Sequence, residues 1–458
     1  MRTVVISAVL CAAITVAAES KPLTLVECID LALSQNADVR LAEEGLARSH
    51  ADAKSAYARR LPSVNANLLS YSHSRTGPSV RIQDNPAGID PATGERLFVE
   101  EETRIPAVDR NNYSLSANLS HTIYDAGEGR HSHHAARASV EGALSDYDAR
   151  QALVVFAVKQ GYFTLLQAIE LTQVQQESLE LSQRRLDEAR ARLEVGAGTR
   201  VDVLRLQVAA ENTQTNLINS QQQERLAIAR LNYQMGRDVQ SPLVVAPLSE
   251  EELHFDAPGP LPALVDQVQA RNPDLRRFQS SVRSAESFVK SSQAAYLPRV
   301  TGNVSYSRSN EVLDRVYGDL SQEYRLNAGV GVSYNVFDGG IRAASVSRSK
   351  SSLNTARLTL EQRQRDIALA VETTWLELDR LRRILEINGS TVELATEDLH
   401  LAEERYRVGK GTLLEALDAQ VNFTDARSSL VRTRYDLAVS HADLQRLLGV
   451  TGTQLNTE

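Results

Sequence analysis

A mainly helical protein that also carries a membrane β-sheet, written twice in tandem, is the fold class this sequence predicts. Three observations predict it: an internal duplication, long proline-free heptad segments, and short strands alternating apolar with small polar residues. The duplication comes first, because a repeat governs how every other segment is read. Leu33 to Arg40 recurs as Val268 to Arg276, and Asn36 falls on Asn272, a shift of 236. Leu61-Pro62-Ser63-Val64 falls on Leu297-Pro298-Arg299-Val300 at the same shift. Further on, Tyr124-Asp125-Ala126-Gly127 matches Phe337-Asp338-Gly339-Gly340 at a shift of 213. That register carries Val195-Gly196-Ala197-Gly198-Thr199 onto Val408-Gly409-Lys410-Gly411-Thr412, and Asp202, Leu204, Gln207 and Gly236 onto Glu415, Leu417, Gln420 and Gly449. A single length change between Ser74 and Tyr113 accounts for both shifts, within a polar segment bearing Gly77-Pro78, Pro86, Pro91 and Pro106. The organisation expected is a first repeat over 19–236 with a long loop at 75–112, a linker over 237–262, a second repeat over 263–449 and a tail over 450–458.

The helices follow from periodicity. Leu378, Leu385, Val392, Leu399 and Tyr406 stand seven apart, answered in the first copy by Leu165, Thr172, Leu179, Leu186 and Leu193. A sustained seven-residue seam is the mark of coiled-coil packing. No proline interrupts Asp125–Gly236 or Asp338–Gly449, so each copy can hold a helix of roughly 70 residues, about 100 Å long. Gly196-Ala197-Gly198 and Gly409-Lys410-Gly411 reverse the chain, glycine accepting the left-handed conformation that ends a helix. The return helix, Thr199–Tyr233, is about half as long, and another short helix covers Asp38–Arg59. Pro242, Pro247, Pro258, Pro260 and Pro262 make the linker an extended connector.

The strands follow from period two. Tyr113, Leu115, Ala117 and Leu119 alternate with serine and asparagine; Leu326 to Val336, Val64 to Leu68 and Val300 to Tyr306 behave alike. About ten residues is the length of a tilted transmembrane strand. One face is apolar, while the other is Ser, Asn, Thr and Gly, suited to a wet lumen. Tyr71, Tyr113, Tyr124, Tyr306, Tyr324 and Phe337 lie near strand ends, where an aromatic girdle belongs. Four strands cannot close a barrel, and open edges leave amides unpaired in hydrocarbon. Closure therefore needs several copies: two give eight strands and three give twelve, of which only the larger leaves a useful passage.

Composition and the amino terminus set the compartment. Val4 to Ala18 carries no charge after Met1-Arg2-Thr3, and Val16-Ala17-Ala18 supplies small residues for cleavage, so 1–18 reads as a secretory signal peptide. A lipoprotein would need a small residue before Cys11, where Leu10 stands. Removal of the signal leaves Cys28 alone, so no intrachain disulfide forms. A formal charge of −8 argues against phosphate neutralisation on nucleic acid. Aromatic residues at 5% are few for a thick globular core and favour an elongated molecule.

Together the opening Leu23-Thr24-Leu25-Val26-Glu27, Ala32-Leu33 and Asn36, the Tyr/Phe-Asp-x-Gly turns and the two Val-Gly-x-Gly-Thr hairpins resemble the TolC-like outer membrane efflux proteins (outer membrane factors). So does the duplication itself. The resemblance spans essentially the whole mature chain. It implies a homotrimer whose 12-stranded β-barrel spans the outer membrane of a Gram-negative bacterium and is continued by a 12-helix α-barrel through the periplasm. It also implies a passive exit duct for a tripartite efflux pump or type I secretion system, without catalysis or cofactor, working with a periplasmic adaptor and an inner-membrane transporter. Carried over, Val195, Gly196, Gly198, Thr199, Val408, Gly409, Gly411 and Thr412 are adaptor-contact tips, and Glu415 with Asp418 is the acidic pore constriction. The latch that ties the closed tip maps to Asp202, and its basic position falls on Gly411 with Lys410 beside it.

Residue chemistry gives these positions competing readings. Glu415 and Asp418, three apart, share a helix face and are otherwise a solvated like-charge pair. Asp202 and Arg205, their partners 213 residues earlier, are an attractive pair instead. His131, His133 and His134 read as a solvated, pH-responsive patch rather than a metal site. Gly409-Lys410-Gly411-Thr412 lacks the Gly-x4-Gly-Lys-Ser/Thr spacing of a phosphate loop. No catalytic motif appears. The rival class is an exported structural or adhesive coiled coil with a small soluble sheet.

Overall fold

The computed structural model of the chain describes residues 22–249, 253, 255 and 258–449. The signal peptide expected at 1–18 and the tail expected at 450–458 lie outside the described residues. The described residues fall into a helical unit (22–49, Ser139–Val282 and 356–449) and a sheet-bearing unit (His50–Ala138, Arg283–Thr355).

In chain order the first half contains α1 (Leu25–Gln35), α2 (Ala37–Ala58), β1 (Ser63–Thr76), β2 (Ser79–Ile89), β3 (Arg96–Ile105), β4 (Val108–Tyr124), α3 (Glu128–Glu194) and α4 (Arg200–Gln234). The second half contains α5 (Leu261–Arg271), α6 (Pro273–Ala294), β5 (Arg299–Asn310), a single turn α7 (Leu313–Val316), β6 (Tyr324–Ser333), α8 (Ile341–Arg407) and α9 (Leu413–Leu447). Lengths correspond across the halves: α3 and α8 have 67 residues each, and α4 and α9 have 35. At ~1.5 Å per residue the long pair runs about 100 Å.

Within the helical unit the heptad seam is buried at Leu165, Leu179, Leu186, Leu378 and Leu399. The largest core gathers Val154, Val155, Val158, Tyr162, Leu165 and Leu166 of α3 against Cys28, Ile29 and Ala32 of α1, Leu231 of α4 and Tyr435 and Ala438 of α9. α3 is long and apolar enough somewhere along its length to cross a membrane. These core contacts account for much of that apolarity. The linker runs beside α1: the Leu23 amide donates to Val244 O at 2.9 Å, the Ala246 amide to Leu23 O at 2.9 Å, and Tyr162 Oη to Ala246 O at 2.6 Å. Cys28 is fully buried there, and desolvation pushes its thiol up to about 11.

In the sheet-bearing unit one four-stranded antiparallel sheet has the order β1-β4-β5-β6. Its register sets like with like. Asn65, Asn118, Ser305 and Asn327 form one row, and Val64, Leu119, Val304 and Ala328 form the next. The alternation read in the sequence thus becomes two chemically distinct faces. β6 stops at Ser333, three residues short of the alternating run to Val336, and Tyr334–Val336 lie outside it.

The segment 75–112, expected as a loop, is a correction. β1 continues to Thr76, β4 begins at Val108, and between them β2 and β3 pair antiparallel in a sheet of their own. Pro86 and the neighbouring glycines obscure this hairpin in the sequence, because proline interrupts a ladder; here Pro86 sits where the register shifts, the place a strand tolerates a missing amide. At roughly 3.3 Å per residue, the 14 residues of β1 and 17 of β4 exceed what a bilayer needs.

Candidate functional site

Both helical hairpins that carry the sequence-derived site belong to the helical unit. At the first, α3 ends at Glu194 and the chain turns through Gly196, whose φ of +76° is a left-handed conformation that L side chains resist. The Ala197 amide returns to Arg192 O at 2.8 Å, which closes the helix end. Thr199 then caps α4, its hydroxyl accepting from the Asp202 amide at 3.1 Å and donating to Asp202 Oδ2 at 2.7 Å. At the second hairpin Gly409 has φ +74°, and the Lys410 amide reaches Arg405 O at 2.8 Å. Thr412 caps α9 in a reciprocal box: its hydroxyl accepts from the Glu415 amide at 3.2 Å, and Glu415 Oε2 accepts from the Thr412 amide at 3.1 Å.

Glu415 therefore has a local role in starting α9, and its exposed carboxylate also lies 4.0 Å from the Arg405 guanidinium. Asp418 is exposed one turn further on. Val195 and Val408 are solvent-facing at the tips. Asp202 is engaged by Thr199, and exposed Lys410 forms no ion pair with it within one chain. Gly411, the position at which the resemblance expects a base, has little room: a Cβ there would lie 3.0 Å from Arg405 Cβ and 3.1 Å from Glu415 Oε2.

Sequence reasoning missed a polar network just behind the tips. Arg185 of α3, its side chain only 12% exposed, forms an ion pair with Glu403 of α8 and donates to Gln420 Oε1 and, at 3.2 Å, to Ala416 O of α9. Gln420, nearly buried, donates in turn to Ser182 Oγ at 2.9 Å. Arg192 lies over the Tyr406 ring at 5.4 Å, while Leu186, Ala189, Leu206, Ala210 and Leu413 pack as a small core beside it. Higher on the same helices Arg427 of α9 pairs with Glu177 of α3, and that hydrogen bond holds the Glu177 carboxyl below its ordinary range. A signal for the network existed: Gln420 aligns with Gln207, but periodicity alone could not tell that the first is buried and the second exposed.

Among the described residues no group of three or more His, Cys, Asp or Glu side chains is arranged to hold a metal. His133 packs 5.5 Å from the Tyr57 ring and 6.4 Å from His134.

Comparison with known proteins completes the picture. Residues 28–237 and 264–450 match the family described as outer membrane efflux protein. The outer membrane efflux protein BepC of Brucella suis is 25% identical over 405 residues, covering 86% of this chain and 85% of the relative. The outer membrane protein TolC of Escherichia coli is 22% identical over 357 residues, covering 76% of this chain and 71% of the relative. Among solved structures, the Campylobacter jejuni CmeC outer membrane channel superposes with a TM-score of 0.76 at 19% identity, covering 94% of this chain and 87% of that one.

Proposed function

Because the chain belongs to the outer membrane efflux protein family, we propose that three copies assemble into the exit duct of a tripartite efflux pump or type I secretion system. It is an outer membrane channel protein that extends into the periplasm. One observation carries the trimeric reading: the four-stranded sheet leaves its outer strands, β1 and β6, at open edges, and its apolar face is bare at Val64, Leu68, Val330 and Val332. In hydrocarbon unpaired edge amides cost several kcal/mol each, so twelve strands from three chains close the wall. An exposed apolar stripe on α8 supports the same assembly. Leu369, Leu376, Ile387, Leu394 and Leu401 recur at helical spacing and stay at least half exposed in the single chain. Full burial of such a side chain is worth ~1.5–3 kcal/mol, and a neighbouring helix that covers the exposed half gains roughly half of that.

In the trimer Glu415 and Asp418 of each copy gather six carboxylates near the periplasmic end and form the pore constriction. Repulsion among them attracts cations and resists closure unless counter-charges intervene. The adaptor meets the tips at Val195–Thr199 and Val408–Thr412, and Asp202 with Lys410 latches between copies. The lumen face of Ser and Asn imposes little selectivity, so the inner-membrane transporter chooses the cargo. Planar-bilayer recording tests this reading. The native protein should conduct as a heat-modifiable trimer with cation preference, and Glu415→Ala with Asp418→Ala should weaken both that preference and block by divalent cations. Unchanged selectivity would remove the constriction from these residues; a monomer soluble without detergent would end the duct reading.

A further inference from the structure

The connection between β5 and β6 does not stand free of the sheet. Residues 311–323 fold back over it, and three side chains hold them down. Tyr306 Oη donates to Leu320 O at 2.7 Å. Arg308 donates from Nη1 to Asp319 O at 2.7 Å and from Nη2 to Arg315 O at 2.8 Å. Tyr317 Oη reaches the carbonyl of Leu68 in β1. Val316 of α7 becomes fully buried.

The register identifies the face beneath. Tyr306 stands opposite Ala117 and Leu326, and Arg308 opposite Leu115 and Tyr324, so both belong to the apolar face. Serines 305, 307 and 309 alternate with them on the polar face. A guanidinium on the apolar face is costly at membrane depth unless its donors find partners. Here two backbone carbonyls of the fold-back accept from it, and the residue is only 5% exposed although no carboxylate is hydrogen-bonded to it. The exposed side chains of the fold-back include four large apolar ones, Val312, Tyr317 and Leu320 at least half exposed and Leu313 38% exposed, interleaved with the exposed charges of Glu311, Asp314, Arg315 and Asp319. They stand beside exposed Tyr324 and Leu326 of β6, near the Tyr71–Tyr113 pair (ring centroids 5.0 Å apart) that marks a girdle level.

We propose that residues 311–323 are a strap on the outer, lipid-facing side of the barrel wall, with Val312, Leu313, Tyr317 and Leu320 seated in the headgroup boundary of the outer leaflet. The inference rests on the barrel reading above, since it takes the apolar face of the sheet to meet lipid. The strap then does two things: it hides the Arg308 charge from hydrocarbon, and it widens the interfacial belt with an aromatic and three aliphatic side chains. The occupant is lipid rather than water, because the row of exposed apolar residues is continuous with the lipid-facing face. It is lipid rather than a neighbouring copy, because the strap is seated on its own β5 and β4 and tied to β1 by the Tyr317 hydroxyl, leaving its exposed apolar side chains on the outer side of its own sheet.

Tryptophan quenching in vesicles tests the strap separately from the barrel. In a Trp375→Phe background, Leu320→Trp and Val330→Trp trimers are placed in phosphatidylcholine brominated near the headgroup end of its acyl chains. Both are expected to lose emission relative to unbrominated vesicles, with Leu320→Trp shielded from aqueous iodide. Leu313→Trp repeats the measurement at a second strap position and must agree. If Val330→Trp is quenched by the lipid while both strap variants respond only to iodide, the strap faces water and the proposal fails, the barrel standing. Strap variants insensitive to both quenchers would lie against a neighbouring copy, which also overturns it. Escape of Val330→Trp from the lipid would remove the barrel reading, and the strap with it.

Discussion

α4 and α9 have the same length, follow the same turn type and align at a constant shift, yet the chain treats them differently. α9 is held from two sides. Toward α3 it uses Gln420, Arg427 and Tyr435, which meet Ser182, Glu177 and Glu170, and toward α8 Asn388 donates to Thr433 Oγ1 at 2.9 Å. Its buried residues run from Leu413 to Leu447. α4 buries a narrower seam of Leu206, Ala210, Leu217, Ala227 and Leu231, and leaves Val201, Leu204, Val208 and Ile218 more than half exposed. Two helices of equal length thus differ in what one face carries, and α9 is the one packed into the interior of its own chain. α4 keeps an apolar stripe that its own chain leaves uncovered.

The sharpest way to break this contrast is to charge the α4 stripe. Leu204→Glu with Val208→Glu should abolish the trimer on size exclusion in detergent while helical content by circular dichroism stays unchanged, since both side chains are exposed in the single chain. A surviving trimer would mean that α4 faces water in the assembly. Truncation of a buried tip residue comes next. Leu413→Ala, at 7% exposure, should cost ~2–5 kcal/mol in chemical denaturation, whereas Leu204→Ala should cost little in a chain kept monomeric. Equal losses would erase the difference between the two helices. The smallest effect concerns the caps. Thr412→Ala removes the hydroxyl of a reciprocal box and should destabilise the α9 start by ~1 kcal/mol, read as faster amide exchange over 413–416. Thr199→Ala should do less, because Asp202 can accept from free α4 amides in its place. The reverse order would show that the box contributes nothing.

The long helices were legible because heptad spacing and the absence of proline act locally, and glycine with φ near +75° ends a helix wherever it stands. The strand faces were legible for a similar reason, since period two sorts Ser and Asn from Val and Leu without reference to partners. The β2–β3 hairpin was not, because Pro86 carries opposite meanings at a ladder position and at a register shift, and only pairing decides between them. Arg185 looked like any helix arginine until Glu403 and Ala416 O, more than two hundred residues away, came within reach.

By itself, then, the sequence determined the periodic features: the helical and extended segments, the turns at the tips, the two chemical faces of the sheet and the duplication. Tertiary structure alone decided which of two equivalent helices became interior, where the buried arginines found their acceptors, and that residues 311–323 lie on the sheet. Periodicity is a property of neighbours a few residues apart, but burial and charge compensation depend on contacts between residues distant in the chain, which exist only once the helices and strands have packed.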